Sequence, residues 1–230
     1  MMPIHFVPQG RPPLHIAVLP DGGRRWAKAN GVSLSDSYDR SILKLDAIVE
    51  QLFDSECDRI SVCLSGYNNH VMRSSAEISS INRYATRCIQ LCTERCESSS
   101  AYNLEVFELT NVRTDIRVVR RFWRATIAPG NRRTLALFVA YSALFELTDA
   151  IEKSLASYGS YTNFVDHLWI SRPIDCVVRT GGYKVLSGFA PLATGWSRLY
   201  FFDGLFNDVE VGAFREVVYQ FLGIPRHYGE

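Results

Sequence analysis

Short apolar segments alternate along this chain with longer segments whose apolar residues recur at helical spacing. The short segments are typical of buried strands and cover residues 14–19, 59–64, 103–109, 135–141, 174–178 and 199–202. Apolar residues at three- and four-residue steps predict helices over 42–52, 77–96, 146–158 and 211–222, and another helix should follow the first strand. This alternation predicts an α/β fold with a mainly parallel central sheet flanked by helices.

Length and composition favour one folded domain. Of the 230 residues, 47% are hydrophobic and 21% are charged, which excludes a disordered chain. The sequence contains neither internal repeats nor a long linker, so residues 14–230 are predicted to form a single domain. Residues 1–13 are rich in proline and lack periodicity, and we expect them to form a loose N-terminal arm.

Charge and hydropathy narrow the classes of partner. The chain has 25 Lys and Arg residues against 24 Asp and Glu residues, so its formal net charge is +1 and nucleic-acid binding is not expected. No apolar run approaches the ~20 residues that span a bilayer, and the first residues lack the pattern of a secretory signal. We therefore expect a cytoplasmic protein without an integral membrane segment.

Three of the six cysteines, Cys88, Cys92 and Cys96, recur at four-residue intervals on one face of a predicted helix. Six cysteines are too few for a disulfide scaffold in a chain of this length. A zinc site on these three thiols would need a fourth ligand and lacks the usual spacing. Burial of the three side chains in the core is therefore the favoured interpretation.

Polar residues follow the first predicted strand, at the end of the sheet where parallel sheets bind their ligands. They form the segment Asp21-Gly22-Gly23-Arg24-Arg25-Trp26. Glycines let backbone N–H groups approach a phosphate and arginines bind its oxygens bidentately, so the segment is predicted to hold an anion. The alternative is a turn in which Asp21 caps a helix while the arginines are solvated.

Two later segments have a similar character. One contains Arg179-Thr180-Gly181-Gly182 with Lys184 and Ser187, groups that suit a phosphate or diphosphate. The other is Ser65-Gly66-Tyr67-Asn68-Asn69-His70 with Arg73, which could line a pocket, although loop solvation explains it equally well. Glycine-rich nucleotide-binding motifs, a nucleophile elbow and a zinc-protease motif are absent from the sequence. These residues together predict a diphosphate-sized anion pocket beside apolar and aromatic residues.

Four short motifs occur together and in a fixed order: HIAVLPDG at 15–22, VRTGG at 178–182, LYF at 199–201 and RHYG at 226–229. In this combination, the chain resembles the cis-prenyltransferase family, the undecaprenyl diphosphate synthase-like enzymes. Gly23, Leu34 and Tyr38 stand where chain-elongating members carry asparagine, arginine and histidine. The chain is more similar there to the irregular branch typified by cyclolavandulyl diphosphate synthase, so regular chain elongation is disfavoured.

Three further departures concern charge. Val185 and Leu144 stand where the family usually carries arginines, and Arg198 stands where it carries a metal-binding glutamate. The resemblance implies that Asp21 and that glutamate hold Mg²⁺, so a Mg²⁺ site is expected here in weakened form. Arg198 is expected instead to place a fixed positive charge beside a diphosphate.

The resemblance implies a homodimeric enzyme that ionises an allylic prenyl diphosphate of the dimethylallyl or geranyl class and forms a branched or cyclic terpenoid. A terpene cyclase using a single prenyl diphosphate and a non-catalytic subunit stay open as alternatives. The residues expected at the site fall into three groups. Asp21 and Asn68 are predicted to be catalytic, with Asp21 also binding metal; Gly22, Gly23, Arg24, Arg25, Arg179, Ser187 and Arg198 to bind diphosphate; and Trp26, Tyr38, Ser65, Tyr67 and His70 to line the pocket.

Overall fold

The computed structural model describes residues 14–99, 101–110, 120–126 and 133–224, and its strands form one seven-stranded sheet. The strands are β1 Leu14–Leu19, β2 Cys57–Cys63, β3 Asn103–Thr110, β4 Arg120–Thr126, β5 Thr134–Val139, β6 Cys176–Arg179 and β7 Arg198–Phe201. Their order across the sheet is β4-β3-β5-β2-β1-β6-β7, and only the β3–β4 pair is antiparallel. The predicted α/β fold with a mainly parallel sheet is confirmed.

The six strands predicted from apolar runs are all present, with ends displaced by two residues or fewer. Strand β4 was not predicted. Its sequence, RRFWRAT, holds three arginines and therefore contains no apolar run. The strand lies at the edge of the sheet beside β3. Charged residues are common in the sequences of edge strands.

The described residues contain six α-helices, of which the last follows β7: α1 Gly23–Ala29, α2 Leu34–Phe53, α3 Tyr67–Met72, α4 Ser75–Ser99, α5 Ala143–Tyr158 and α6 Val211–Leu222. Helix α2 begins eight residues before the predicted start, because Ser33 and Asp36 form a capping box ahead of the apolar residues. The Ser33 hydroxyl accepts a hydrogen bond from the Asp36 N–H at 3.0 Å. Helix α3 was expected to be a polar loop, since its six residues are too few to show helical periodicity.

The two faces of the sheet carry two buried clusters. The larger cluster joins the sheet to α2, α4 and α6 and contains the stripe of Cys88, Cys92 and Cys96. Burial of these cysteines, predicted from their spacing, is confirmed, and it raises the pKa of all three thiols. Among the described residues no group of three or more His, Cys, Asp or Glu side chains could hold a metal ion, so the zinc alternative finds no support.

The parallel arrangement places the carboxyl ends of β1, β2, β5 and β6 side by side at one edge of the sheet. The predicted N-terminal arm at 1–13 and the RHYG motif at 226–229 lie outside the described residues, and the division into an arm and one domain stays a prediction. Within the described ranges, each helix is too short or too polar to cross a membrane.

Candidate active site

A cleft of about 880 Å³ opens at the carboxyl ends of the central strands. All three polar segments singled out in the sequence contribute to its walls. It is lined by residues 19–25, 63–69, 141–144 and 185–189, together with Tyr38, Ser41, Arg73, Ile81, Tyr84, Arg179, Tyr183 and Phe206. The topology of a parallel sheet thus brings together residues that are up to 187 positions apart in the sequence.

Asp21 lies in this cleft between two arginines. Its carboxylate Oδ2 is 2.8 Å from Nη2 of Arg179, and Oδ1 is 3.4 Å from Nη2 of Arg25. The backbone of Asp21 is fixed by the Thr180 hydroxyl, which accepts its N–H at 2.9 Å and donates to its carbonyl at 2.8 Å. The capping alternative is not supported, because Gly22 is the N-cap of α1 and no side chain caps it.

Arg179 is the most fixed cation of the cleft. Its side chain is only 10% exposed, and Nη1 donates to the Val185 carbonyl at 2.6 Å and to the Ser187 hydroxyl at 2.7 Å. Since Nη2 also contacts Asp21, the guanidinium ties the segment after β6 to the segment after β1. A buried guanidinium held at this many points keeps its charge in one place.

Tyr183 was not predicted, yet it covers both arginines beside Asp21. Its ring centroid lies 4.6 Å from the guanidinium carbon of Arg25 and 6.0 Å from that of Arg179. These are cation–π contacts, and the ring is 56% exposed at the mouth of the cleft. Arg25 can lie close to this segment because residue 181 is glycine. A Cβ at Gly181 would lie 2.6 Å from Nη2 of Arg25.

Gly23 and Tyr38 fit together in another wall of the cleft. A Cβ at Gly23 would lie 3.1 Å from Cε1 of Tyr38, which is closer than side chains normally approach. The ring of Tyr38 stacks on Tyr84 at 4.8 Å, and burial raises the pKa of both hydroxyls. Gly23 and Tyr38, which both differ from the residues of chain-elongating members, therefore pack against each other.

Four arginines line the cleft, but among its described lining residues Asp21 is the only acid. Arg24 is paired with an acid outside the lining set: its guanidinium lies 2.9 Å from Glu77 and, with the Ser74 hydrogen bonds, lowers the pKa of that carboxyl to about 2. The remaining arginines, Arg25, Arg73 and Arg179, face the cleft with Asp21 as their one acidic counterpart there. The excess of positive charge suits a polyanion such as a diphosphate.

The third polar segment divides into lining and supporting residues. Ser65 and Tyr67, which were predicted to line the pocket, lie in the wall of the cleft. Asn68, which was predicted to be catalytic, lies in the same wall. His70 does not line it. Its side chain is buried and its Nε2 lies 2.9 Å from the Ser65 hydroxyl, which also accepts the Ala140 N–H at 2.9 Å.

Two other residues that were predicted to belong to the site lie elsewhere. Trp26 points away from the cleft on α1, and its indole N–H donates to Asp208 at 2.7 Å. Arg198 is the first residue of β7 and pairs with Cys176, at the amino edge of the sheet. Its guanidinium lies 5.5 Å from the ring centroid of Phe221 in α6. Within one chain, Arg198 therefore cannot sit beside a diphosphate in this cleft.

A Mg²⁺ ion would find one carboxylate in the cleft, that of Asp21. This donor set fits a Mg²⁺ ion that takes most of its remaining ligands from water and substrate phosphates, as is common in phosphate-binding sites. It does not fit a metal held by protein side chains alone. In the structure both carboxylate oxygens of Asp21 already face arginines, so such an ion would share them.

Comparisons with known proteins identify relatives of this chain. The family model described as "Putative undecaprenyl diphosphate synthase" matches residues 19–229. A tritrans,polycis-undecaprenyl-diphosphate synthase (geranylgeranyl-diphosphate specific) of Aeropyrum pernix is 30% identical over 85% of this chain and 89% of its own length. An isoprenyl transferase of Campylobacter jejuni is 23% identical over 94% and 98%.

The fold is shared with a solved enzyme structure. Lavandulyl diphosphate synthase from Lavandula x intermedia, in complex with dimethylallyl diphosphate, superimposes with a TM-score of 0.75. The two chains are 18% identical, and the alignment covers 95% of this chain and 98% of the other. At this level of identity the similarity concerns the fold.

Proposed function

This chain belongs to the cis-prenyltransferase family and is an enzyme of the prenyltransferase type, and we propose that it is an irregular member that ionises a short allylic diphosphate. The product would be a branched or cyclic terpenoid. One observation carries this proposal: Asp21 is held between Arg25 and Arg179 in a cleft that has aromatic walls.

The arginines supply what departure of a diphosphate requires. When the allylic C–O bond breaks, negative charge grows on the leaving diphosphate and positive charge on the allyl group. Arg25 and Arg73 face the cleft, and Arg179 is fixed by three partners, so positive charge is in place before the bond breaks. Asp21 contacts both flanking guanidiniums, so its negative charge offsets part of their mutual repulsion before a diphosphate binds.

The aromatic walls supply the other requirement, an environment for a cation from which water is excluded. Tyr38 and Tyr84 form a stacked pair in the cleft, with Ile81 and Phe206 beside them. Aromatic faces stabilise a neighbouring cation, and apolar walls limit its capture by water. Gly23 lets Tyr38 pack closely in this wall, since a Cβ at that position would lie 3.1 Å from the ring and require it to shift by a few tenths of an ångström.

The family generally uses Mg²⁺. When bound, the ion would neutralise charge on the leaving diphosphate, and Asp21 is the residue of this cleft that would hold it. The other protein groups act independently of the metal: the arginines bind and orient the diphosphate, and Ser187 fixes Arg179. A homodimer and a cytoplasmic location belong to the same proposal. The resemblance implies the homodimer, and the sequence favours the location.

A second candidate is a cyclase that uses one prenyl diphosphate. It is favoured by Val185 and Leu144, which line the cleft and are 56% and 71% exposed, where the resemblance implies arginines for a second diphosphate. An apolar surface at these positions gives a second anion no cationic partner.

The experiment is incubation of the purified protein with dimethylallyl, geranyl and farnesyl diphosphates, singly, in pairs and with isopentenyl diphosphate. Products are identified by mass spectrometry, and Asp21→Asn serves as the background control. Two allylic units joined in a branched or cyclic skeleton would support the main proposal. A cyclic product from one substrate would favour the cyclase. Linear polyprenyl products, like those for which the relatives are named, would refute irregular chemistry, and no turnover would refute both.

A further inference from the structure

Backbone strain is concentrated beside the cleft. Of the four non-glycine residues with positive φ in the described part of the chain, Ala140, Ser187 and Ala190 belong to the segments that flank it. Their φ angles are 53°, 52° and 44°, a region that side chains other than glycine rarely adopt. Such strain persists only where surrounding contacts hold it in place.

Ser187 and Ala190 are held from two sides. On the cleft side, the Ser187 hydroxyl accepts the hydrogen bond from Nη1 of Arg179. On the buried side, the Ala190 N–H donates to the hydroxyl of Tyr141 at 3.2 Å. The segment 187–190 is thus fastened at one end to the arginine that contacts Asp21 and at the other to Tyr141.

Tyr141 is in turn oriented by a buried acid. Its hydroxyl donates a hydrogen bond to Oε2 of Glu146, whose Oε1 accepts the Ile170 N–H at 2.8 Å. Tyr141 and Glu146 are each 5% exposed. The Tyr141 hydroxyl donates once and accepts once, and both carboxylate oxygens accept, so the polar groups of this pair are satisfied in one arrangement.

A second element supports the same arrangement. The Tyr141 ring packs at 5.0 Å on Phe189, within the strained segment, and at 5.7 Å on Phe138 of β5. Packing of the rings and the hydrogen bond to Ala190 therefore act on the same four residues. Burial of a carboxyl group costs free energy unless the group is hydrogen-bonded, so the contacts of Glu146 are needed for it to occupy this position.

We propose that Tyr141 and Glu146 are positioning residues that hold segment 187–190 in its strained conformation and thereby keep Ser187 and Arg179 in place for a diphosphate. Neither residue transfers a group or a proton in the reaction. The inference rests on the proposed function only for the identity of the anion.

The test uses two conservative changes and one matched control. Tyr141→Phe keeps the ring and removes the hydroxyl, and Glu146→Gln keeps one acceptor oxygen. Tyr102→Phe removes a buried tyrosine hydroxyl from the other side of the molecule, where the ring packs on Phe53. The measurements are binding of inorganic pyrophosphate by calorimetry, and hydrogen exchange of the peptide that contains residues 187–190.

We expect Tyr141→Phe to weaken pyrophosphate binding about tenfold, since an unmet buried N–H would release the segment. Exchange at 187–190 should become faster while exchange in β1 and β2 is unchanged. Glu146→Gln should have a smaller effect in the same direction, and the double variant should add little to Tyr141→Phe. Tyr102→Phe should leave both measurements at the wild-type value.

Unchanged pyrophosphate affinity or unchanged exchange at 187–190 in a folded Tyr141→Phe variant would overturn the inference. A general rise in exchange across the sheet would also overturn it, because it would show a merely structural role. Failure of the wild-type protein to bind pyrophosphate would instead count against the proposed function. The exchange measurement would then still decide whether the pair holds the segment.

Discussion

Charged residues are arranged differently where the parallel strands begin, here called the amino edge of the sheet, and where they end, the carboxyl edge. At the amino edge, charges are matched: Arg172 makes two hydrogen bonds to Asp58, at 2.8 and 3.0 Å, and Arg59 is paired with Glu105. At the carboxyl edge, arginines outnumber acids, and Asp21 alone faces Arg25 and Arg179. Paired charges compensate one another without a ligand, whereas an excess of one sign is compensated by an oppositely charged ligand.

His15 is a further polar residue at the amino edge whose groups are matched within the fold. It lies in β1, six positions before Asp21, and is fully buried. Its Nδ1 lies 3.0 Å from the Pro173 carbonyl and Nε2 lies 2.9 Å from the Ser61 hydroxyl. A carbonyl can only accept, so Nδ1 donates to Pro173. Burial lowers the pKa of His15, so the imidazole is neutral and Nε2 accepts from the Ser61 hydroxyl. Substitutions at the amino edge should therefore change stability, and substitutions at the carboxyl edge should change activity.

The largest effect is expected for Asp21→Asn. Loss of the carboxylate removes the group between Arg25 and Arg179 and the one acidic ligand of the cleft, so turnover should fall by ~10²-fold or more. The Asp21 side chain is 35% exposed and does not cap α1, so the melting temperature should change little. Turnover and thermal unfolding are measured on the same preparation. Near-normal turnover in the folded variant would remove Asp21 from the mechanism.

At the opposite edge, His15→Ala should lower the free energy of unfolding by about 2 kcal/mol, because it leaves a cavity and deprives Pro173 and Ser61 of their partner. Turnover per folded molecule should stay at the wild-type value at low temperature. Urea unfolding gives the first quantity and active-site titration the second. A stable variant with reduced turnover would show that the two edges are not separated as the structure indicates.

The same histidine makes stability depend on pH. Desolvation by burial, followed by the nearby Arg59 and Arg172, lowers the pKa of His15 well below its ordinary value of 6.5. The unfolded chain therefore binds a proton that the folded chain does not, and stability should decrease as pH falls below about 6.5. Unfolding measured between pH 7.5 and 5 should show this slope in the wild type. In His15→Ala the slope should be smaller.

A smaller effect is expected within the cleft for Gly23→Asn. The new side chain meets the ring of Tyr38 and should lower turnover about tenfold, the size of a moderate steric cost. Adding Tyr38→His should recover part of the loss, because the smaller ring leaves space for the asparagine. Kinetics of the two single variants and the double variant measure the coupling. Additive effects would show that the contact does not link the two positions.

The sequence predicted the sheet and most of the cleft for a physical reason. Parallel strands bring their carboxyl ends to one edge, so residues directly after strands, such as Asp21 and Ser65, could be assigned to one site. Tyr183 had no such signal, because its role depends on how a loop folds back over two arginines. His70 and Glu146 are buried behind lining residues, to which they are hydrogen-bonded. A sequence pattern does not distinguish a residue that lines a cleft from one that supports the lining.

Arg198 is the case in which the resemblance and the strand pattern disagreed. The apolar run at 199–202 already placed it at the beginning of a strand, and in a parallel sheet that is the edge opposite Asp21. The registered pair of Arg198 with Cys176 lies three residues, about 10 Å, from the end of β7 where Phe201 pairs with Arg179.

The smallest effect is therefore expected for Arg198→Ala. In one chain its guanidinium packs on Phe221, so pyrophosphate affinity should change by less than about twofold, the usual range for a side chain away from the ligand. Stability should fall slightly, through loss of the cation–π contact. Pyrophosphate binding is titrated with and without Mg²⁺ for the wild type, Arg198→Ala and Arg198→Glu. If affinity drops tenfold or more in Arg198→Ala, a guanidinium from the amino edge must reach a cleft after all. Because the fold keeps the two edges of one chain apart, that cleft would belong to a second copy of the protein, and the contrast between the edges would hold within a chain but not within the assembly.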